Sequence, residues 1–221
     1  MNPTETLPGL DLTDEEIVQR VRSGRAELFE AVMRRHNQRI YRTVRSILRD
    51  DTETEDVMQE AYVNAFTHLG DFEGRSKLST WLTRIAVHEA FARLRRSKRF
   101  SSLDESESPK MENHSPHPSP EQNAGDRELG VVLENAVEAL PESFRVVFVL
   151  RAVEEMSVAE TAEVLEIPEE TVKTRLHRAR GLLKRSILDR TEATLPTLLG
   201  FHLSRCDRVA SAVLRRIGVT R

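Results

Sequence analysis

Cysteine is almost missing from this chain: Cys206 stands alone among 221 residues. A lone thiol closes no intrachain disulfide, and a cysteine-based zinc cluster is excluded. Aromatic residues are scarce at 5% against 38% hydrophobic overall, so any core is small and aliphatic. No apolar run approaches the roughly 20 residues that cross a bilayer, which predicts no membrane insertion. The first 16 residues hold five acids and no base. They lack the charged start and apolar centre of a secretory signal, and the reading is a cytoplasmic protein. Period-two alternation is missing throughout, which leaves an all-α chain. There is no glycine-rich phosphate loop and no catalytic set. The histidines are scattered, with His114 and His117 in a proline-rich stretch, and no spacing suits a metal. The expectation is therefore no cofactor and no enzyme activity.

The charge that is present is unevenly placed. A net charge of -3 and a pI near 6.2 argue against a nucleic-acid ligand. Local sums argue for one: residues 84–99 hold six Arg/Lys against one Glu, and residues 169–185 hold six against two acids. Residues 100–128 hold seven acids and two bases. Fields are screened beyond about 10 Å at ordinary salt, so patches matter more than the total.

Residues 100–128 also hold four Pro and six Ser with little apolar content, and predict a flexible acidic linker. The chain then divides into a helical domain at 12–99, the linker, a second helical domain at 129–186, and a C-terminal extension at 187–221. In the first domain the pattern predicts helices over Asp14–Arg22, Arg25–Leu48, about Thr54–His68 and about Ser76–Arg99. Thr52 with Glu55 forms a candidate capping box. In the second it predicts Leu129–Leu140, a break at Pro141, and Phe144–Ala152. In the extension, Pro196 and Gly200 are breaks and Leu203–Ile217 is an amphipathic helix.

Residues 157–185 read as a helix-turn-helix. Ser157 with Glu160 three residues on makes a capping box before an apolar run. Glu166-Ile167-Pro168 is the break, because proline pushes the preceding residue out of helix yet suits a first helical turn. Val172, Leu176, Ala179 and Leu183 then recur on one helix face. Lys173, Thr174, His177 and Arg178 lie on another, which is the arrangement that entry into a major groove requires.

In the third helix, Met58, Ala61, Tyr62, Ala65, Phe66 and Leu69 form an inward stripe. Asp56, Gln59, Glu60 and Asn64 lie outward, either as a solvated face or as a surface for a basic protein partner. Gly70 and Gly74 permit an irregular loop ahead of the fourth helix. There Trp81, Leu82, Ile85 and Ala86 point inward, while Arg84, His88, Arg95 and Arg96 point toward a ligand backbone or bases.

DVMQEAYVNAF, FEGRSKLSTWLTRIAVHEAFARLRR and ALPESFRVVFVLRAVEEMSVAETAEVLEIPEETVKTRLHRARGLLKR, in this order, resemble regions 2 and 4 of the sigma-70 family. The group is the extracytoplasmic-function (ECF) sigma factors. The resemblance covers about residues 12–99 and 129–186. It implies two small all-α domains, a four-helix region 2 and a helix-turn-helix region 4, and a role in promoter recognition and melting. It implies that Asp56, Gln59, Glu60 and Asn64 dock on the clamp coiled coil of core RNA polymerase, whose flap is a second contact. It implies that Phe72, Gly74, Arg75, Ser76, Lys77, Arg84, His88, Arg95 and Arg96 meet -10 promoter DNA. Lys173, Thr174, His177 and Arg178 would read the -35 element, with Arg175 and Arg180 on phosphates. An anti-sigma factor is the further partner implied. Many relatives carry Asn where His88 stands. The alternative is a conventional helix-turn-helix regulator whose N-terminal domain senses or dimerises.

Overall fold

The computed structural model describes residues 9, 11–101 and 124–198. Helix Leu203–Ile217 and Cys206 fall outside those residues, as does most of the expected linker. The described residues are all-helical and contain no strand.

Four helices build the first module: α1 (Asp14–Arg22), α2 (Phe29–Leu48), α3 (Asp51–Thr67) and α4 (Leu78–Ser101). Helix α1 starts at a capping box in which Thr13 and Glu16 satisfy each other's backbone N–H groups. Gly24, at φ +97°, turns the chain into a 3₁₀ turn over Ala26–Leu28 before α2 begins. The expected Thr52–Glu55 box is not formed. Asp50 is the cap instead, its carboxylate accepting from Glu53 N at 2.7 Å, so α3 starts two residues earlier than that box would allow. Aspartate lies close to the N-terminal end of the helix dipole there, an arrangement its charge favours.

The second module holds α5 (Ala124–Glu138), α6 (Glu142–Phe148), a π-helical turn over Val149–Val153, α7 (Val158–Leu165) and α8 (Glu169–Leu198). Several boundaries differ from the sequence reading. Helix α6 starts at Glu142, two residues before the expected Phe144, and gives way to the π-helical turn at Val149 instead of running to Ala152. Helix α4 reaches Ser101 and α5 begins at Ala124, so helix enters the expected linker from both sides. Helix α8 continues through Pro196 to Leu198. Residues 182–195 contain neither Gly nor Pro, and a proline three positions from a helix end removes a single intrahelical bond.

The inward stripes pack as their periodicity requires. Ala61, Tyr62, Ala65 and Leu69 are buried, as are Val172, Leu176, Ala179 and Leu183. Phe66 departs from the expectation: it is 43% exposed, although its ring lies 5.3 Å from that of Phe29, edge-on. Val57, at 0% exposure, takes the inward place.

The two modules close on each other. Val146, Leu150, Met156 and Val164 of the second belong to the same buried cluster as Ile17, Ile40, Val44 and Ala86 of the first. Buried Arg145 reaches across from α6. Its Nε donates to Ser46 O at 2.6 Å, and its Nη1 to Glu138 O and Leu140 O at 3.0 and 2.8 Å. Burial pulls its guanidinium down to about 10. Buried Glu154 of the second module is held by Arg39 and Arg42 of α2, each at 3.3 Å.

Candidate nucleic-acid interface

The helix-turn-helix is set by local chemistry. Ser157 and Glu160 form the anticipated capping box: Ser157 N donates to Glu160 at 2.7 Å and Glu160 N to Ser157 Oγ at 3.1 Å. The donation from Ser157 N holds the Glu160 carboxyl down at about 2. Helix α7 ends where Glu166 adopts a left-handed conformation, φ +52°. Ile167 N folds back to Ala162 O at 3.1 Å, and Pro168 O accepts from Thr171 N at 2.9 Å to start α8. With Val172 and Leu176 buried against α6 and α7, and Ala179 against α5 and α6, the outer face of α8 is fixed. Lys173, Thr174, His177, Arg178 and Arg180 are exposed and Arg175 is half-buried. Thr174 is also tied to its own helix, its hydroxyl donating to Glu170 O.

The loop between α3 and α4 is held by a residue that sequence reasoning missed. Arg22, at the end of α1, donates to Leu69 O through Nε and Nη2 at 3.0 and 2.6 Å. The same Nη2 also donates to Gly70 O at 3.1 Å and to Phe72 O. No local signal points to it, because its partners lie 47 to 50 positions away. Gly74 takes φ +73° with open space around its Cα, so its backbone conformation, not crowding, is what glycine supplies. Phe72 is buried, its ring 5.4 Å from that of half-buried Trp81. It anchors the loop from inside and is not presented to solvent. Gly74, Arg75 and Lys77 are exposed and Ser76 is half-buried, with Arg75 paired to Glu73 at 3.0 Å.

Along α4, Arg84, His88, Arg95 and Arg96 are all exposed. Lys77, Arg84 and His88 form a row that faces the second module. Lys77 pairs with Glu160 at 3.1 Å, and Arg84 with Glu166 at 3.1 Å and Glu163 at 4.0 Å. His88 Nε2 lies 3.3 Å from Glu166. On α3, Asp56, Gln59 and Glu60 are exposed and Asn64 is half-buried. Arg93 binds Glu60 at 2.8 Å, and Asn64 Nδ2 donates to Glu89 at 3.0 Å. Among the described residues no group of His, Cys or acidic side chains could hold a metal ion. No described helix is long and apolar enough to cross a membrane.

A helix-turn-helix with an exposed polar and basic face, joined to a second helical module with its own basic helix, defines a two-site DNA-binding protein. The family described as sigma-70 region 2 matches residues 32–100, and that described as sigma-70 region 4 matches residues 131–183. The ECF RNA polymerase sigma factor SigW of Bacillus subtilis is 30% identical over 187 residues, covering 81% of this chain and all of that protein. The ECF sigma-E factor of Escherichia coli K12 is 31% identical over 183 residues, covering 80% and 95%. Among solved structures, CnrH bound to the cytosolic domain of CnrY matches with a TM-score of 0.56 at 27% identity, covering 80% of this chain and 97% of that one. The sigma factor RpoE bound to the anti-sigma factor NepR, from Bartonella quintana, has the same fold, with a TM-score of 0.61 at 20% identity over 72% and 96%. The chain belongs to the sigma-70 family, in its ECF group, and its function is that of a promoter-directing sigma factor. The alternative of a conventional regulator with a sensing domain falls, because the N-terminal module is region 2.

Proposed function

We propose a division of labour among these surfaces. Residues 12–99 bind core RNA polymerase and the -10 element, residues 129–186 read the -35 element, and the chain is a specificity subunit without chemistry of its own. It works in the cytoplasm, where its polymerase and promoters are. The observation that carries this reading is the facing of α8: burial of Val172, Leu176 and Ala179 leaves Lys173, Thr174, His177 and Arg178 exposed together. Arginine bonds a guanine edge bidentately, so Arg178 reads a base, while Arg175 and Arg180 meet phosphates. On the first module, the loop Gly74–Lys77 and the α4 residues Arg84, His88, Arg95 and Arg96 take the -10 strand. Phe72 supports the loop from within.

The face of Asp56, Gln59, Glu60 and Asn64 docks on the polymerase clamp coiled coil, and region 4 on the flap. Its polarity suits a basic helical partner. The solved neighbours were captured with NepR, an anti-sigma factor, and with CnrY. An anti-sigma factor is accordingly the regulator proposed here.

A reconstituted transcription assay tests the whole reading. Core polymerase with this chain yields promoter-specific RNA, and core alone yields none. Asp56→Lys with Gln59→Lys weakens capture of core polymerase while helicity is retained, since both residues are exposed. Unchanged capture returns this face to solvent.

A further inference from the structure

A cavity of about 420 Å³ lies where α2 of the first module meets α5, α6 and α8 of the second. That volume falls in the range of small-ligand sites. One part of its wall is apolar. Helix α5 contributes Leu133 and Val137, the π-helical turn Val149 and Val153, and α8 Leu183 and Ile187. Among the described residues only four large apolar side chains are exposed, and Leu133 and Val153 are two of them, at 42% and 41%. Apolar surface is thus concentrated in a concave place, where it marks a contact for a ligand. The other part of the wall is cationic: four arginines and two glutamates line the cavity. Arg42 is spent on Glu154, and Arg45 on Asp51 and Glu138. Arg49, the exposed left-handed cap of α2 at φ +63°, has no acid partner among the described residues. Buried Arg145 donates to carbonyls through Nε and Nη1, and its Nη2 has no acceptor among the described residues. Burial, and after it the charge of Arg49, draws the Arg145 guanidinium down to about 10, so two like charges repel each other at this end of the cavity.

We propose that this cavity is a binding site for a free fatty carboxylate, its headgroup held by Arg49 and Arg145 and its alkyl chain laid along Leu133, Val153 and Leu183. A carboxylate matches the planar fork of a guanidinium and offsets the repulsion between two of them. A neutral amphiphile would leave that repulsion in place, and a cationic one would add to it. A small anion without a tail would leave the apolar wall in water. The wall is built from four helices, which admits a single alkyl chain and not the surface of a bilayer. Glu134 is the lining acid outside the ion pairs, and it is exposed to water, where its charge is screened. The ligand touches α2 on one side and α5 and α8 on the other, so its binding stabilises the folded chain by mass action.

The test titrates the delipidated full chain calorimetrically with three probes: dodecanoate below its micelle concentration, dodecanol and acetate. Dodecanoate binds at a single site and raises the unfolding temperature. Dodecanol binds roughly tenfold more weakly, because it lacks the charge that answers the arginines, and acetate gives no detectable binding. Two variants then separate head from tail. Arg49→Gln lowers dodecanoate affinity roughly tenfold and leaves dodecanol unchanged. Leu133→Gln lowers the affinity of both alkyl probes, by roughly threefold to tenfold. Both residues are exposed, so the variants stay folded, and far-UV circular dichroism verifies it. Dodecanol binding as tightly as dodecanoate overturns the proposal, as does uptake of dodecanoate at many equivalent sites. Arg49→Gln weakening both alkyl probes alike, or neither, overturns the placing of the headgroup and the proposal with it. Dodecanoate binding that Leu133→Gln leaves unchanged overturns it too, because the alkyl chain then lies elsewhere.

Discussion

Arg22→Ala isolates the loop that precedes α4. One guanidinium there serves three carbonyls, those of Leu69, Gly70 and Phe72. A hydrogen bond to a charged donor is worth about 1.5–3 kcal/mol when buried. Arg22 is exposed and the freed carbonyls of this loop can turn to water, so each bond falls below that range, among ordinary net hydrogen bonds of about 0.5–1.5 kcal/mol: about 0.7 kcal/mol for each of three, or about 2 kcal/mol together. Tenfold in an equilibrium is about 1.4 kcal/mol, so local opening of residues 69–77 becomes up to about thirtyfold more frequent. Ile17, Val18 and Val21 keep α1 seated, because they are buried independently of the guanidinium. Native-state hydrogen exchange reads this directly. Amides of residues 69–77 exchange up to about thirtyfold faster while those at the centres of α2 and α4 do not change. Single-strand affinity of the opened chain falls in parallel, because a looser loop must be ordered during binding. Arg22→Lys does not restore protection, since one ammonium lacks the planar fork that spans three acceptors. Unchanged exchange in the loop, or faster exchange spread over the whole module, refutes the assignment.

Arg145→Ala leaves three carbonyls without their donor, Ser46 O across the interface and Glu138 O and Leu140 O within the second module, and costs about 3–5 kcal/mol in denaturant unfolding; a cost under about 1 kcal/mol contradicts the geometry. Arg178→Ala relaxes preference at one -35 position by about 1–3 kcal/mol, whereas Arg175→Ala weakens all sequences alike and lowers the salt slope by about one, as promoter-variant binding at two salt concentrations shows. Leu176→Asp places a charge in the buried stripe and unfolds the second module, visible as lost helicity. The Glu160 carboxyl lies near 2 when folded, below its ordinary 4.5. Its contribution is therefore complete above about pH 4.5 and is lost as pH falls toward 2, and Glu160→Gln flattens that part of an acid-unfolding curve.

Local chemistry made much of this molecule legible. The capping box at Ser157, the turn at Pro168 and the buried row Val172–Leu183 are short-range patterns, and each forms as read. The stripe on α3 was nearly as clear. Phe66 misled because an aromatic at the right spacing can rest its edge on Phe29 while its face stays in solvent. Phe72 misled in the opposite sense: its loop setting suggests exposure, but Trp81 nearby gives its ring an inward place. The cap of α3 was misplaced because Asp50 and Thr52 both suit the position, and the charge at Asp50 prevails. Arg22, Arg145 and Glu154 were invisible for a different reason. Each reaches a partner that the chain brings close only after folding: 47 or more positions away for Arg22, 99 for the bond from Arg145 to Ser46 O and 115 for the bond from Arg39 to Glu154 O. Arg22 and Glu154 have charged neighbours and Arg145 stands beside the apolar run Val146–Leu150, and neither setting names a partner.

The chain's acidic total now has a structural reading. Glu138, Glu142, Glu154, Glu160, Glu163 and Glu166 of the second module all pair with bases of the first. Charge that makes the sequence look unsuited to DNA is thus spent inside the molecule. The pairs made by Glu142, Glu163 and Glu166 are exposed and individually worth about 0–1 kcal/mol. Val146, Leu150, Met156 and Val164 are nearly fully buried, and each such side chain favours closure by up to about 1.5–3 kcal/mol. Apolar packing therefore sets how firmly the modules close, while the ion pairs set their register. A partner that opens this chain must offer a replacement for the apolar face as well as for the charges. Salt alone, which screens the pairs and leaves the apolar contacts intact, should loosen the register of α7 on α4 without separating the modules. Small-angle scattering tests that ordering: the radius of the chain stays constant from low to high salt, and a marked expansion with salt alone would assign closure to the ion pairs instead.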